Sequence, residues 1–336
     1  MKYNIIGDIH GRVYFKEAVL DDAINVFVGD YFSPYERMSF DEQVSVFMDV
    51  TELKRKRPET ILLIGNHDED HWHIRERYSR FDWLNVENIT DMFEVDKNMF
   101  QAAYSIENKY LITHAGVTAP WFANAKLFTE NGYDLKNYPK VVPWDITALF
   151  GYEELPVEEA YKKHMIEFAK EMKFDMNDIP SPFKEKMEHP LDGTFLYSTN
   201  AYYLYSNGVY TKLETTPDEC AKLINDLWFG GHYTLFNFRS NCDRYDCYGT
   251  SSTQGPMWVR PETLTEFNIF KNTEFGQIVG HTQEPKPYYN SQVRIGRCDC
   301  LGYSVGSIVI DTDKEPSEQV SINVVRLLDS YKSYYR

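Results

Sequence analysis

Long apolar segments are missing from this sequence of 336 residues, and none reaches the ~18 consecutive apolar residues of a membrane-spanning helix. Ile5 and Ile6 are the only consecutive apolar residues before Gly7, and two are too few for the apolar core of a signal peptide. We therefore expect a cytoplasmic protein without a membrane partner. Five cysteines without a CxxC pair argue against a disulfide framework or a zinc knuckle and favour reduced thiols. Cys298 and Cys300 could share a metal, but two ordinary strand cysteines are the favoured interpretation.

Basic residues are fewer than acidic residues in this sequence. The 35 Lys and Arg residues face 51 Asp and Glu residues, which gives a formal net charge of −16. Because affinity for nucleic acid rests largely on neutralising phosphates, we expect no nucleic-acid partner, although a local basic pocket could accept one phosphate. The 43% hydrophobic content is that of a globular protein, and the length allows one large domain or two smaller ones.

Short apolar segments alternate with helical patterns at the start of the chain. Three of these segments are typical of buried strands: Lys2–Ile6, Asn25–Val28 and Ile61–Ile64. The spacing of apolar residues predicts helices over 14–23 and 39–56, and Ser39 with Glu42 fits a capping box. This alternation predicts a parallel sheet covered by helices, in which sites form beyond the carboxyl ends of the strands.

The rest of the chain predicts two hairpins, a helix and three strands. One hairpin covers 102–113, and the other covers 202–213 with Asn207-Gly208 as its turn. The helical pattern covers 156–173. The further strand candidates are 277–279, 307–310 and 319–325.

Polar motifs follow five of the predicted strands: Gly7–Gly11 (GDIHG), Gly29–Asp30 (GD), Gly65–Asp68 (GNHD), His114–Gly116 (HAG) and Gly280–His281 (GH). Each motif alone is weak, but five at strand ends are hard to obtain by chance. The mixture of Asp, Asn and His suits Mn, Fe or Zn better than an all-oxygen Mg or Ca site. Two ions ~3.5–4 Å apart need one shared carboxylate, and Asp30 is the candidate because it is central in the set.

At these motifs the sequence resembles the calcineurin-like metallophosphoesterase superfamily, and within it the phosphoprotein-phosphatase-like branch of bacteria and phages. The resemblance runs from Gly7 to about Ile310, with the middle third unmatched. It implies an α/β fold, namely a four-layer α-β-β-α sandwich with an inserted cap. The implied division is a core half over 1–119, a substrate-selecting cap over 120–250 and a second core half over 251–336.

The resemblance also implies two divalent metal ions, with Mn favoured and Fe or Zn as alternatives. The implied ligands are Asp8 and His10 for the first ion, Asn66, His114 and His281 for the second, and Asp30 for both. His67 matches the general acid of the family. Arg260, in the segment 255–262 (GPMWVRPE), would reach the phosphate, although packing of Trp258 and a surface ion pair would also explain this segment.

The second motif departs from the family pattern GDxxDRG. Ser33 and Pro34 stand where related enzymes have the acid that orients the catalytic histidine and the arginine that clamps phosphate. Two pairs of residues are candidates to replace them: Arg12 or Arg37 for the cation, and Glu36 or Asp68 for the acid. Because Pro34 fixes its own φ and favours an extended Ser33, we expect this loop to follow a different path.

Three functions are consistent with the sequence. The favoured one is a phosphatase that hydrolyses a phosphate monoester of a protein or a small metabolite by attack of a hydroxide that bridges two metals. The second keeps the metals but acts on dinucleotide polyphosphates or diesters, since loss of a clamp for a terminal phosphate would admit a substituted one. The third is a metal-stabilised binding protein without catalysis. The oligomeric state is left open.

Overall fold

A computed structural model describes residues 1–74, 80–131, 143–145, 195–197, 202–206, 209–238 and 248–329. The strands are β1 Lys2–Ile6, β2 Ile24–Phe27, β3 Ile61–Leu63, β4 Phe100–Gln101, β5 Ala103–Ile106, β6 Tyr110–Thr113, β7 Pro143–Asp145, β8 Phe195–Tyr197, β9 Tyr202–Ser206, β10 Val209–Lys212, β11 Gly276–Val279, β12 Tyr288–Asn290, β13 Ile295–Arg297, β14 Ser304–Asp311 and β15 Val320–Leu327. The α-helices are α1 Phe15–Ala18, α2 Phe40–Lys56, α3 Asn66–Glu69, α4 Val86–Val95, α5 Ala119–Asn131, α6 Pro217–Phe229 and α7 Pro261–Glu266. A π-helical turn covers Asp70–Ile74, and 3₁₀ turns cover Lys97–Met99 and Tyr233–Leu235.

Two sheets packed face to face form the centre of the molecule. The first sheet has the order β15-β14-β1-β2-β3-β4, and β1 to β4 run parallel. The second has the order β12-β13-β11-β6-β5, and β13, β11 and β6 run parallel. The apolar core between them is built from alternate strand positions, including Tyr3, Ile5, Val26, Ile112, Ile278 and Ile308. A separate sheet has the order β10-β9-β8-β7.

Helices cover the outer faces of both central sheets. Val46, Phe47 and Val50 of α2 belong to the same buried cluster as Phe27 and Leu62 on the outer face of the first sheet. Helix α6 packs against β5 and β6 of the second sheet. These four layers confirm the predicted α/β fold with an α-β-β-α arrangement. The cap boundaries at 120 and 250 stay a prediction.

Most predicted elements are present. Helix α2 begins after Ser39, whose Oγ accepts the backbone N–H of Glu42, while Glu42 Oε2 accepts the backbone N–H of Ser39, so the capping box is confirmed. The antiparallel pairs β5–β6 and β9–β10 confirm both hairpins, and β11, β14 and β15 confirm the late strands. The turn residues Asn207-Gly208 and the helical pattern over 156–173 lie outside the described residues.

The helix predicted over 14–23 is wrong in its length. Helix α1 covers only Phe15–Ala18, and Val19 already has extended backbone angles. The side chain of Asn25 explains this early end, because it accepts the backbone N–H of Leu20 at 3.0 Å and donates to the carbonyl oxygen of Leu20 at 2.9 Å. A contact from the next strand therefore replaces the helical hydrogen bonds.

In the part of the chain that the structure describes, no helix has both the length and the apolar character needed to span a membrane.

Candidate metal centre

Strands β1, β2, β3, β6 and β11 end at one edge of the sandwich, and the polar residues that follow them form one cluster. Nε2 of His10 lies 3.6 Å from Oδ2 of Asp30 and 3.9 Å from Oδ2 of Asp8. Nε2 of His114, which comes from the other sheet, lies 3.6 Å from the same oxygen of Asp30. The candidate ligand atoms of Asp8, His10 and Asp30 lie within 4.8 Å of one another, so this buried group can hold a metal ion.

A second group of donors adjoins the first. Oδ1 of Asn66 lies 2.8 Å from Nε2 of His114 and 3.0 Å from Nδ1 of His281. The backbone N–H of His281 donates to both carboxylate oxygens of Asp8, at 3.1 and 3.0 Å, which joins the two groups. The structure thus brings together every residue that the sequence predicts as a ligand: Asp8, His10, Asp30, Asn66, His114 and His281.

Hydrogen bonds determine which ring nitrogen faces the cluster. Nδ1 of His10 lies 3.0 Å from the carbonyl oxygen of Phe32, and Nδ1 of His114 lies 2.9 Å from that of Val28. Because a carbonyl oxygen can only accept, each Nδ1 carries the proton and each Nε2 directs a lone pair toward Oδ2 of Asp30. Acceptors that face each other at this range need a proton or a metal ion between them. The donor set therefore fits bound divalent metal ions.

Burial changes the protonation of this cluster. It raises the pKa of Asp30 to about 7, and burial together with the charges of Asp299 and Asp30 raises the pKa of Asp8 well above its usual value. Burial lowers the pKa of His114 to about 4. The folded chain alone therefore favours neutral histidines and protonated acids here, and divalent ions would compensate the buried carboxylates in place of protons.

Three of the clustered residues have a left-handed backbone. The φ angles are 45° at His10, 52° at Asp30 and 64° at His281. Such angles cost about 1–3 kcal/mol each for residues other than glycine and persist only where the surroundings hold them. Asp68 holds Asp30, because its carboxylate accepts the backbone N–H groups of Asp30 at 2.6 Å, Tyr31 at 2.8 Å and Gly65 at 3.0 Å. Asp68 thereby joins the ends of β2 and β3.

Two glycines leave room for the carboxylates. A Cβ atom on Gly280 would overlap Oδ1 of Asp8, and a Cβ atom on Gly65 would overlap Oδ1 of Asp30. These two motif glycines are therefore required by the close approach of the carboxylates to the neighbouring backbone.

Replacing Gly280 with alanine should displace Asp8 and weaken metal binding by about 10–100-fold, the loss expected when the support of a metal ligand is disturbed. The affinity is measured by competition with a chelating dye. Gly231→Ala is the control, because a Cβ atom at Gly231 meets only Tyr233, at 4.0 Å, and its φ of 78° makes the change more strained in the backbone than the change at Gly280. Equal affinities of both variants would contradict this interpretation of Gly280.

The two other residues predicted to act on substrate lie beside the cluster. The ring of His67 lies 5.5 Å from that of His10, and its backbone N–H donates to Oδ1 of Asp30 at 2.9 Å. Arg260 donates from Nε to the carbonyl oxygen of Tyr248 at 2.9 Å and from Nη1 to Oγ1 of Thr282 at 3.2 Å. The segment that contains Arg260 also reaches the cluster through Trp258, whose ring lies 5.8 Å from that of His281.

Ser33, in the loop after Asp30, does not have the conformation predicted for it. Ser33 has a φ of 60°, so the extended conformation expected before Pro34 is wrong. Phe32 is buried against the ring of Phe47, and the ring of Tyr35 lies 4.9 Å from that of His10. Because both flanks are anchored, the chain has to reverse direction between them.

The candidates for the missing cation and acid occupy different places. Nε and Nη2 of Arg12 both donate to Oε1 of Glu36 at 3.1 Å, so these two residues engage each other. Arg37 is exposed and has no hydrogen bond or ion pair to the cluster in the described ranges. The Asp68 carboxylate bonds to backbone amides, as above. Within those ranges, neither acid has a hydrogen bond to the ring of His67.

Two residues that sequence reasoning missed also lie here. Asp299 is fully buried, and neither of its carboxylate oxygens has a hydrogen-bond donor among the described residues. Burial raises its pKa to about 7, while the nearby guanidinium of Arg12 lowers it. Its position just after β13 was an available signal. Nη2 of Arg80 lies 2.7 Å from Nε2 of His67, and nothing in the surrounding sequence indicated this contact.

A four-layer sandwich with Asp, Asn and His residues clustered at one edge is typical of metal-dependent phosphoesterases. The family described as calcineurin-like phosphoesterase matches residues 1–179 of the 336, and the chain belongs to this family. The resemblance noted in the sequence is thereby confirmed. Members of the family depend on two metal ions, and the buried Asp8, His10 and Asp30 can bind one. No curated protein matches the chain significantly.

Solved structures that are similar to this chain include three of protein tyrosine phosphatases. A cold-active protein-tyrosine phosphatase from a psychrophilic Shewanella species has a TM-score of 0.42 and 14% identity, over 96% of this chain and 80% of that one. A point mutant of a cold-active protein tyrosine phosphatase has a TM-score of 0.41 and 14% identity, over 97% and 80% of the two chains. A further structure of a cold-active protein tyrosine phosphatase has a TM-score of 0.41 and 14% identity, over 96% and 78%.

Proposed function

We propose that this protein is a dinuclear-metal phosphatase that hydrolyses a phosphate monoester of a protein or a small metabolite. The observation that supports it most is the position of Oδ2 of Asp30, which lies 3.6 Å from Nε2 of both His10 and His114. Because these nitrogens come from different sheets, one carboxylate oxygen is within reach of two ligand groups. A shared carboxylate is what a pair of ions ~3.5–4 Å apart requires.

In this proposal Asp30 would be a ligand of both ions. Asp8 and His10 would hold the first ion with it, and Asn66, His114 and His281 would hold the second. Mixed oxygen and nitrogen donors make Mn the favoured metal, with Fe or Zn as alternatives. When bound, two such ions supply a hydroxide nucleophile at neutral pH and neutralise charge on the phosphoryl oxygens.

The side chains around the ions have separate roles. His67 protonates the leaving oxygen, and its position is fixed through the hydrogen bond from its backbone N–H to Asp30. Arg260 binds phosphoryl oxygens on the side of His114 and His281, and its charge contributes to the lowered pKa of both histidines after burial. Its two hydrogen bonds to Tyr248 and Thr282 hold the guanidinium in place before substrate arrives.

We place this reaction in the cytoplasm. Cys220, Cys298 and Cys300 are free thiols in the buried interior, which suits a reducing compartment. The partner in this account is the phosphorylated substrate.

The Mn-loaded protein should hydrolyse p-nitrophenyl phosphate and prefer it to bis(p-nitrophenyl) phosphate and to a bis-nucleoside tetraphosphate by at least about tenfold in kcat/KM, a difference of about 1.4 kcal/mol between transition states. The same protein after treatment with a chelator is the control. A preference for either substituted phosphate would favour the diesterase or polyphosphate hydrolase, and metal binding without hydrolysis of any of the three would favour a binding protein.

A further inference from the structure

Arg80 presents a positive charge to the metal cluster. Its Nη2 lies 2.7 Å from Nε2 of His67, so the guanidinium donates to a neutral imidazole. Its Nε is buried and has no hydrogen-bond partner among the described residues. No direct ion pair joins it to a carboxylate in those ranges, but Asp30 and Asp299 are near enough for its charge to lower their pKa. A guanidinium cannot release its proton, so a half-buried one without an anion is a binding site for an anion.

Tyr35 fixes the plane of this guanidinium. Cζ of Arg80 lies 3.4 Å from the centroid of the Tyr35 ring, a close stacking contact. The same ring and the ring of His10 are in an edge-to-face contact, with centroids 4.9 Å apart and planes at 85°. Tyr35 therefore stands between His10 and Arg80. Stacking on an aromatic face leaves the in-plane N–H groups of an arginine free to form a fork of hydrogen bonds.

The other arginines near the cluster are less suited to this role. Arg12 lies near Asp299 and is engaged by Glu36 through Nε and Nη2, so that its buried Nη1 alone has no hydrogen-bond partner among the described residues. Arg37 is exposed on the surface of the loop. Arg260 acts from the side of His114 and His281, whereas Arg80 lies beside His67 and His10. Arg80 and Arg260 thus flank the cluster on different sides.

We propose that Arg80, stacked on Tyr35, binds the phosphoryl group of the substrate opposite Arg260, and that Tyr35 is a positioning residue for Arg80. This inference rests on the proposed phosphatase function. A phosphoryl group at the cluster offers charged oxygens to the fork of Arg80, which then exchanges its contact with the neutral His67 ring for a charge-assisted hydrogen bond, the stronger of the two. The exchange also frees Nε2 of His67 from its contact with Arg80.

The test compares Arg80→Ala and Arg80→Lys with Arg37→Ala in the Mn-loaded full-length protein. Phosphate affinity is measured by calorimetry with inorganic phosphate, and hydrolysis of p-nitrophenyl phosphate is measured separately. We expect Arg80→Ala to weaken phosphate binding at least about tenfold and to reduce kcat/KM by about 10²–10³-fold, as when one preorganised donor is removed. Arg80→Lys should recover only part of either loss, since a point charge lacks the fork. Arg37→Ala should match the wild type.

Substitutions of Tyr35 provide a second, independent test of the proposal. Tyr35→Phe keeps the stacking face and should bind phosphate as the wild type does, whereas Tyr35→Ala should weaken binding by several-fold, in line with a contact worth about 0.5–2 kcal/mol. Metal content, measured on each variant, should stay at the wild-type value.

Equal phosphate affinity in the wild type and Arg80→Ala, including no binding in either, would overturn the proposal. So would a loss in Arg37→Ala as large as that in Arg80→Ala. Failure of the proposed function has a different signature: the wild type would bind phosphate, Arg80→Ala would bind it more weakly, and neither would hydrolyse any ester. That result would support the assignment of Arg80 while rejecting the phosphatase.

Discussion

Asp30→Asn is expected to lower the rate of phosphoester hydrolysis by roughly 10³-fold or more and to remove at least one of two bound metal ions. The reason is that Oδ2 of Asp30 lies within 3.6 Å of His10 and His114, so loss of its charge affects both groups of ligands. A rate loss of this size corresponds to about 4 kcal/mol of transition-state stabilisation, within the several kcal/mol that metal ions supply. The measurements are kcat with an aryl phosphate and metal content by mass spectrometry.

Asp41→Asn is the matched control for this substitution. Asp41 is an exposed residue in the first turn of α2, away from the cluster, and the chemical change is identical. It should keep the activity and the metal content of the wild type. If Asp30→Asn behaved like Asp41→Asn in both measurements, Asp30 would not be a shared ligand.

Metal removal is expected to destabilise the protein at neutral and alkaline pH. Ions present at ~100 times their Kd stabilise by about 2.7 kcal/mol per site, so loss of two ions should lower Tm by on the order of 10 °C in a chain of this size. The Tm is measured by calorimetry before and after a chelator, and again after Mn is returned.

The size of this loss should depend on pH. Asp30 and Asp299 have their pKa raised to about 7 by burial, above the value near 4 of an unfolded chain, so folding of the metal-free protein takes up protons between these values. Stability of the metal-free protein therefore falls as pH rises from about 4 to 7, where the buried carboxylates become charged. Bound ions compensate those charges, and the Tm difference between the two forms should be larger at pH 8 than at pH 5.

Two results would count against this reasoning. One is a Tm that does not change when the metal is removed. The other is a Tm difference that is larger at pH 5 than at pH 8, because that would require groups whose pKa is lowered by folding, contrary to the burial of these acids.

Local signals account for the parts of the fold that were predictable. An apolar segment followed by Gly and a polar residue indicates a buried strand and the end of that strand at which the site residues lie, as at Asp8, Asp30 and His281. The capping box lies between Ser39 and Glu42, so a short segment of sequence is enough to place the start of α2. These patterns depend on neighbours in sequence, so they can be interpreted without the fold.

The features that were missed depend on distant contacts. Helix α1 ends early because Asn25, on the next strand, takes over the backbone groups of Leu20. Ser33 has a left-handed backbone conformation because Phe32 packs against Phe47 and Tyr35 packs against His10. The sequence offered no pattern for such effects, since each one needs two segments already in place.

The same limit applies to the charged residues of the site. Arg12 and Arg37 were reasonable candidates by proximity in sequence, yet Arg12 pairs with Glu36 and Arg37 is exposed. Arg80 reaches His67 from thirteen residues along the chain, through a polar stretch without periodicity. Only the folded arrangement shows that Arg80 contacts His67, that Glu36 holds Arg12 near Asp299, and that Arg37 is exposed.

The central claim is that strand ends from two sheets hold a pair of ions around Asp30. An anomalous-difference map from crystals soaked in Mn tests it most directly. We expect two peaks ~3.5–4 Å apart, with Oδ2 of Asp30 between them, one peak beside Asp8 and His10 and the other beside His114. A single peak, or peaks away from Asp30, would contradict the account.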